Sequence, residues 1–152
     1  MSEQQEPAFR IQRIYVKDVS FESPQSPQVF TTDYQPKVGV QLNNAARRIA
    51  ESDDFEVEIT VTLTAEQDEK TVYLVEVKQA GIFTVSGLSD EEREHLLGAY
   101  CPNVLFPYAR ETIASLVQKG SFPVFQLQPI NFEALYQQAK ARRDEEQGSA
   151  AH

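Results

Sequence analysis

Between Phe55 and Thr64 the chain alternates without a break. Phe55, Val57, Ile59, Val61 and Leu63 are apolar, and Glu56, Glu58, Thr60, Thr62 and Thr64 stand between them. A period of two sends these sets to opposite sides of an extended backbone, so the segment predicts a strand with one buried and one wet face. After a polar turn at 65–70, the stretch Thr71 to Ala80 reads as the return strand of a hairpin. It has Tyr73, Val75 and Val77 on one side and Val72, Leu74, Glu76 and Lys78 on the other. Ile11 to Phe21 reads as a third strand, with Tyr15, Val19 and Phe21 opposite Val16, Asp18, Ser20 and Glu22. Val38, Val40 and Leu42 suggest a fourth. The segment between these two carries Pro24, Pro27 and Pro36, which keeps it out of any central strand.

The last third changes period. From Pro107, placed in a first helical turn, Ala109, Ile113, Leu116 and Val117 follow three-to-four spacing up to Gly120. Asn131 is a good N-cap for a second helix, whose stripe is Phe132, Leu135, Tyr136 and Ala139 and whose end falls near Arg143. The loop between them, Gly120 to Ile130, holds Phe122, Phe125 and Leu127. Strands first and helices last, with no βαβ alternation, define an α+β fold: a four-stranded antiparallel sheet with two helices C-terminal to it.

Length and charge narrow the function. A chain of 152 residues fits one domain with a core of its own, expected over residues 9–143, with a polar tail at 1–8 and an acidic tail at 144–152. Fourteen basic against 23 acidic residues give a net charge of -9, which leaves no basic field for a nucleic acid backbone. The single cysteine, Cys101, closes no intrachain disulfide and fits a reducing, cytoplasmic setting. The first residues lack the basic and apolar regions of a signal peptide, and no apolar run approaches a membrane span of about 18 residues. No direct membrane insertion is expected.

Chemistry is sparse. The phosphate-cradling glycine motifs, the GxSxG elbow and the HExxH metal motif are absent, since Glu94-His95 has no second histidine four residues on. No metal site or cofactor is expected. His95 and Cys101 could be imagined as base and nucleophile, but the neighbouring Pro102 and aromatic residues suit a packed thiol better. More informative is apolar character where none is required: Phe21, Val29, Phe30 and Tyr34 around the Pro-rich connection, the run Gly81 to Val85, and Phe122 and Phe125. These side chains either complete a small core or line an exposed groove or an oligomer interface. Likewise, the face bearing Asp18, Glu22, Leu74 and Glu76 is either an ordinary solvated sheet face or a docking site for a basic partner.

The chain resembles the SecB family of bacterial protein-export chaperones. The likeness is carried by Arg13 to Glu22, Gln79 to Phe83 and Gly98 to Glu111, with Gly120, Phe122-Pro123 and Pro129 to Phe132 following in the same order and spacing. This resemblance implies an ATP-independent holdase, a homotetramer built as a dimer of dimers, that keeps unfolded precursor proteins translocation-competent and hands them to the SecA motor. The alternative is a SecB-like chaperone dedicated to a single partner such as an antitoxin. The resemblance places docking of the motor's zinc-bearing C-terminal tail on Asp18, Glu22, Leu74 and Glu76. It places client contacts on Phe30, Tyr34, Leu42, Ile82, Phe83, Val85 and Tyr136, and the oligomer interface on Val75, Val77, Gln79, Ile113 and Leu116. Tyr34 stands where the family often has Trp.

Overall fold

The computed structural model describes residues 6–150. Strands β1 (Ala8–Glu22), β2 (Lys37–Arg48), β3 (Asp54–Gln67) and β4 (Lys70–Ser86) form one four-stranded antiparallel sheet in the order β1-β4-β3-β2. A helical rod follows, made of α1 (Asp90–His95), a π turn (Leu96–Tyr100) and α2 (Cys101–Lys119), and then a second helix, α3 (Phe132–Ala150). The α+β architecture expected from the sequence is the observed one.

The alternation in β3 works as read. Val57, Ile59, Val61 and Leu63 are fully buried, together with Val75 and Val77 of β4 and Leu105, Ala109, Ile113 and Val117 of α2, in one core between the sheet's inner face and the rod. Each such side chain contributes roughly 1.5–3 kcal/mol by burial. The rod lies mainly over β4 and β3, so the inner faces of the edge strands β1 and β2 are only partly covered.

Several boundaries differ from expectation. The β3–β4 turn is only Asp68-Glu69, both at positive φ (53° and 62°), so the paired strands run closer together than the polar composition of 65–70 suggested. The first helix begins at Ser89 and not near Pro107. Ser89 Oγ accepts from the Glu92 N–H at 3.2 Å and the Glu92 carboxylate accepts from the Ser89 N–H at 3.1 Å, a capping box. Pro107 therefore lies inside α2, where it and Asn103, whose carbonyl loses a donor, are both exposed to solvent. Helix α3 starts as expected, with Asn131 Oδ1 accepting from the Ala134 N–H at 2.9 Å, but continues past Arg143 to Ala150. Of the expected N-terminal tail, residues 1–5 lie outside the described residues.

The parity of β1 changes along its length. Its register with β4 slips between Ile11 and Arg13 and between Val16 and Asp18, so Gln12 and Lys17 are bulge residues. Val16 therefore shares the inner face with Val19 and Phe21, and Tyr15 shares the outer face with Asp18 and Glu22, the reverse of the simple alternation.

Candidate functional site

A groove of about 800 Å³ runs between the inner side of β2, the α1 end of the rod and α3. Leu42 and Ala46 of β2 form one wall, Leu97 in the π turn the floor, and Leu135 and Tyr136 of α3 the other wall. It exists because β2 turns short side chains, Asn44 and Ala46, toward a region that the rod does not cover. At one end Phe55 is 6% exposed, with the guanidinium carbons of Arg48 and Arg93 at 5.1 and 5.7 Å from its ring centre. On the other side of the rod a second cleft of about 690 Å³ has Leu88, Leu96, Ala99 and Ile130 in its lining, and Phe132 borders both.

The residues assigned to client contact do not form one surface. Leu42 and Tyr136 line the groove. Phe30, 52% exposed, and Tyr34 stack on Phe122 at ring distances of 5.5 and 5.9 Å, in a separate aromatic cluster that continues through Tyr73. Ile82 pairs with Arg13 and Glu56 on the outer face, because a period of two sets it opposite Phe83 and Val85. Phe83 and Val85 are buried beneath the helical layer, so neither offers surface to a client in this subunit.

The positions assigned to the oligomer interface lie mostly inside the subunit. Val75, Val77 and Ile113 are fully buried within the chain and Gln79 is 2% exposed. Of the five, Leu116 alone is more than marginally accessible. Val75 and Val77 of β4 pack with Ile113 of α2 in the core of the subunit. Exposed apolar surface lies elsewhere: on Phe9, Ile11, Val16 and Val19 along the inner face of β1, and on Tyr100 and Tyr108 of the rod. Simple alternation already sets Phe9, Ile11 and Val19 on one side, and the bulges at Gln12 and Lys17 bring Val16 to join them.

The four docking positions do come together. Glu22 opposes Leu74, Ser20 opposes Glu76 and Asp18 opposes Lys78, all on the face away from the helices. Glu76 accepts from Thr62 Oγ1 at 2.9 Å. Farther along the same face is a network that sequence reading missed. Glu56, 7% exposed, accepts from the Tyr15 hydroxyl and pairs with Lys17 at 3.2 Å and Arg47 at 3.1 Å. The Tyr15 hydrogen bond, followed by those from Arg47 and Lys17, holds the Glu56 carboxyl below its ordinary pKa, while burial and Glu56 push Tyr15 up to about 12.

Nothing catalytic is assembled around the remaining candidates. Cys101 is fully buried, and burial pushes its thiol up to about 12. His95 hydrogen-bonds Glu133 at 2.6 Å and stacks on Tyr136. Among the described residues no group of three or more His, Cys, Asp or Glu side chains could hold a metal ion, and no helix is long and apolar enough to cross a membrane.

A sheet covered on one side by helices, with an open apolar groove and a polar outer face, defines an α+β protein built for binding. The family model described as preprotein translocase subunit SecB matches residues 2–143, and the chain belongs to the SecB family. It is 64% identical to the protein-export protein SecB of Alcanivorax borkumensis, over 99% of this chain and 96% of that one. It is 51% identical to that of Methylococcus capsulatus, over 99% and 97%. In fold it is similar to a SecB-like chaperone of Mycobacterium tuberculosis, solved in complex with an antitoxin peptide, with a TM-score of 0.65 and 18% identity over 80% of this chain and 87% of that one. The family role is that of a chaperone in protein export, not of an enzyme.

Proposed function

We propose that this chain is an ATP-independent holdase that binds extended segments of unfolded precursor proteins in its apolar grooves, keeps them translocation-competent and passes them to the SecA motor. The observation that carries this reading is the open groove between Leu42 and Ala46 on one side and Leu135 and Tyr136 on the other. A seven-residue segment that buries three or four apolar side chains recovers roughly 1.5–3 kcal/mol for each, against about 1–2 kcal/mol to fix each backbone residue. One groove roughly breaks even. Several grooves on one oligomer make later contacts intramolecular and raise avidity by about 10²–10⁴.

A homotetramer, a dimer of dimers, therefore belongs to the mechanism, and the exposed apolar residues of β1 and of the rod supply surface for it. A folded protein hides its apolar segments, so selection for unfolded chains needs no sequence code. Because each contact is weak, release needs no nucleotide. The outer face around Asp18, Glu22, Leu74 and Glu76 suits a basic partner, the zinc-bearing tail of SecA. The protein acts in the cytoplasm, where Cys101 stays reduced. The dedicated single-partner reading is less favoured, since the 64%-identical relative is a protein-export protein.

The decisive experiment is the native mass by light scattering, with and without an unfolded precursor, combined with refolding of that precursor in the absence of ATP. A tetramer that takes up about one precursor chain and slows its refolding supports the proposal. Refolding that is unaffected at excess chaperone overturns it.

A further inference from the structure

Helix α3 is lightly attached. Among its described side chains only Phe132 and Tyr136 are buried. Its polar links to α1, a hydrogen bond of Glu133 with His95 at 2.6 Å and ion pairs of Lys140 with Glu91 at 3.1 Å and Arg143 with Glu94 at 2.7 Å, join exposed side chains, where such links contribute little. The position of the helix over the groove therefore depends on where those two rings seat.

The ring of Tyr136 lies between His95, stacked at 4.9 Å and 26°, and Gly98 of the π turn. A Cβ on Gly98 would stand 2.8 and 2.9 Å from Cδ2 and Cε2 of Tyr136, and the third nearest atom, at 3.9 Å, belongs to the same ring. Gly98 has no positive φ, so its backbone conformation would accept alanine, the better helix former. The absent methyl leaves room for that one ring. The carbonyl of Gly98 is also special. Asn44 Nδ2 of β2 donates to it at 3.5 Å, the outer limit of a hydrogen bond. One residue of the rod thus meets both walls of the groove, β2 through its carbonyl and α3 through its Cα.

We propose that Gly98 is the positioning residue of the groove: by admitting the Tyr136 ring it sets the distance between the β2 and α3 walls, and so the width available to an extended apolar segment. This rests on the reading of the groove as the client site. A methyl at Gly98 drives the ring out by about 1 Å to ordinary contact distance, and Leu135 moves with it.

The test compares the full-length wild type, Gly98→Ala, Tyr136→Leu and the double variant. The readouts are amide hydrogen exchange, thermal unfolding and binding of a fluorescein-labelled peptide of alternating Leu and Phe. Gly98→Ala is expected to speed exchange in the first turns of α3 about tenfold while leaving the sheet protected. Its unfolding midpoint should be unchanged or higher, and its peptide Kd should shift by at least about threefold. Tyr136→Leu, which removes the ring, should cancel most of the effect of Gly98→Ala in the double variant. Exchange within about twofold of wild type, or no cancellation, overturns the proposal. A lowered midpoint with faster exchange throughout the sheet also overturns it, because the glycine would then serve the whole fold. If α3 loosens as expected but the peptide binds none of the four proteins, the seat stands and the client reading of the groove falls.

Discussion

Glu22 of β1 and Leu74 of β4 face each other directly across the ladder, on the side of the sheet that the helices leave open. The nearby Asp18 and Glu76 make this a leucine bordered by carboxylates, although Lys78 opposite Asp18 keeps it from being uniformly acidic. Reversal of Asp18 or Glu76 to Lys is expected to weaken capture of a basic SecA tail about tenfold at low salt and much less near 1 M, where the screening length is about 3 Å. Retention of unfolded clients should be unchanged, since the groove is on the other face. Titration calorimetry across a salt series measures the first, and refolding assays the second. Equal loss of both functions would refute the separation of faces.

The Tyr15–Glu56 pair predicts two pH limbs. Glu56 is held below its ordinary 4.5 in the fold, so its contribution is present above about pH 4.5 and is lost as pH falls below it. Tyr15 is raised from 10.0 to about 12, so its contribution is complete below pH 10 and is lost as pH climbs toward 12. Urea midpoints measured across pH should show Glu56→Gln flattening the acid limb and Tyr15→Phe the alkaline one. Glu56→Gln should also cost about 1–3 kcal/mol at neutral pH by weakening a nearly buried network.

Gly81 lies where the β1 backbone and α2 both approach β4. A Cβ there would stand 3.0 Å from the Arg13 carbonyl oxygen, 2.9 Å from the Phe83 ring and 3.1 Å from Leu105. The backbone oxygen cannot swing aside, so Gly81→Ala should destabilise the fold by about 1–3 kcal/mol. In thermal unfolding that is a fall of roughly 2–4 °C for each kcal/mol. A midpoint equal to wild type would show that β1 yields freely at this point.

Cys101 should be inert in the native protein. With its thiol pushed up to about 12, the thiolate fraction at pH 8 is about 10⁻⁴, and the sulfur is buried as well. Iodoacetamide should leave native protein unlabelled over a time in which urea-unfolded protein reacts fully, as mass spectrometry can read. Comparable labelling rates in the two states would contradict the burial.

Much of this protein could be read from residue order. The alternation from Phe55 to Leu63 determined a strand and its buried face, because backbone pleating alone assigns alternate side chains to alternate sides. Asn131 located the start of α3 for an equally local reason, a side chain that caps its own first turn. The Ser89 and Glu92 box was present too and marks the true start of the rod, but the weak apolar stripe of α1 concealed it beside the stronger one from Ala109 to Val117. The acidic outer face followed from parity and from the family resemblance together.

What tertiary structure alone decided is everything that depends on the separation between distant segments. The bulge at Lys17 arises from pairing with β4, and it exchanges the faces of Tyr15 and Val16 without any mark in the composition of β1. The groove joins Leu42, Leu97 and Tyr136, which are far apart in the chain, and its width turns on whether Gly98 carries a methyl. Periodicity tells which way a side chain points, because that is local geometry. It is silent on what stands a few ångströms away, because that distance is set by the packing of all the other elements at once.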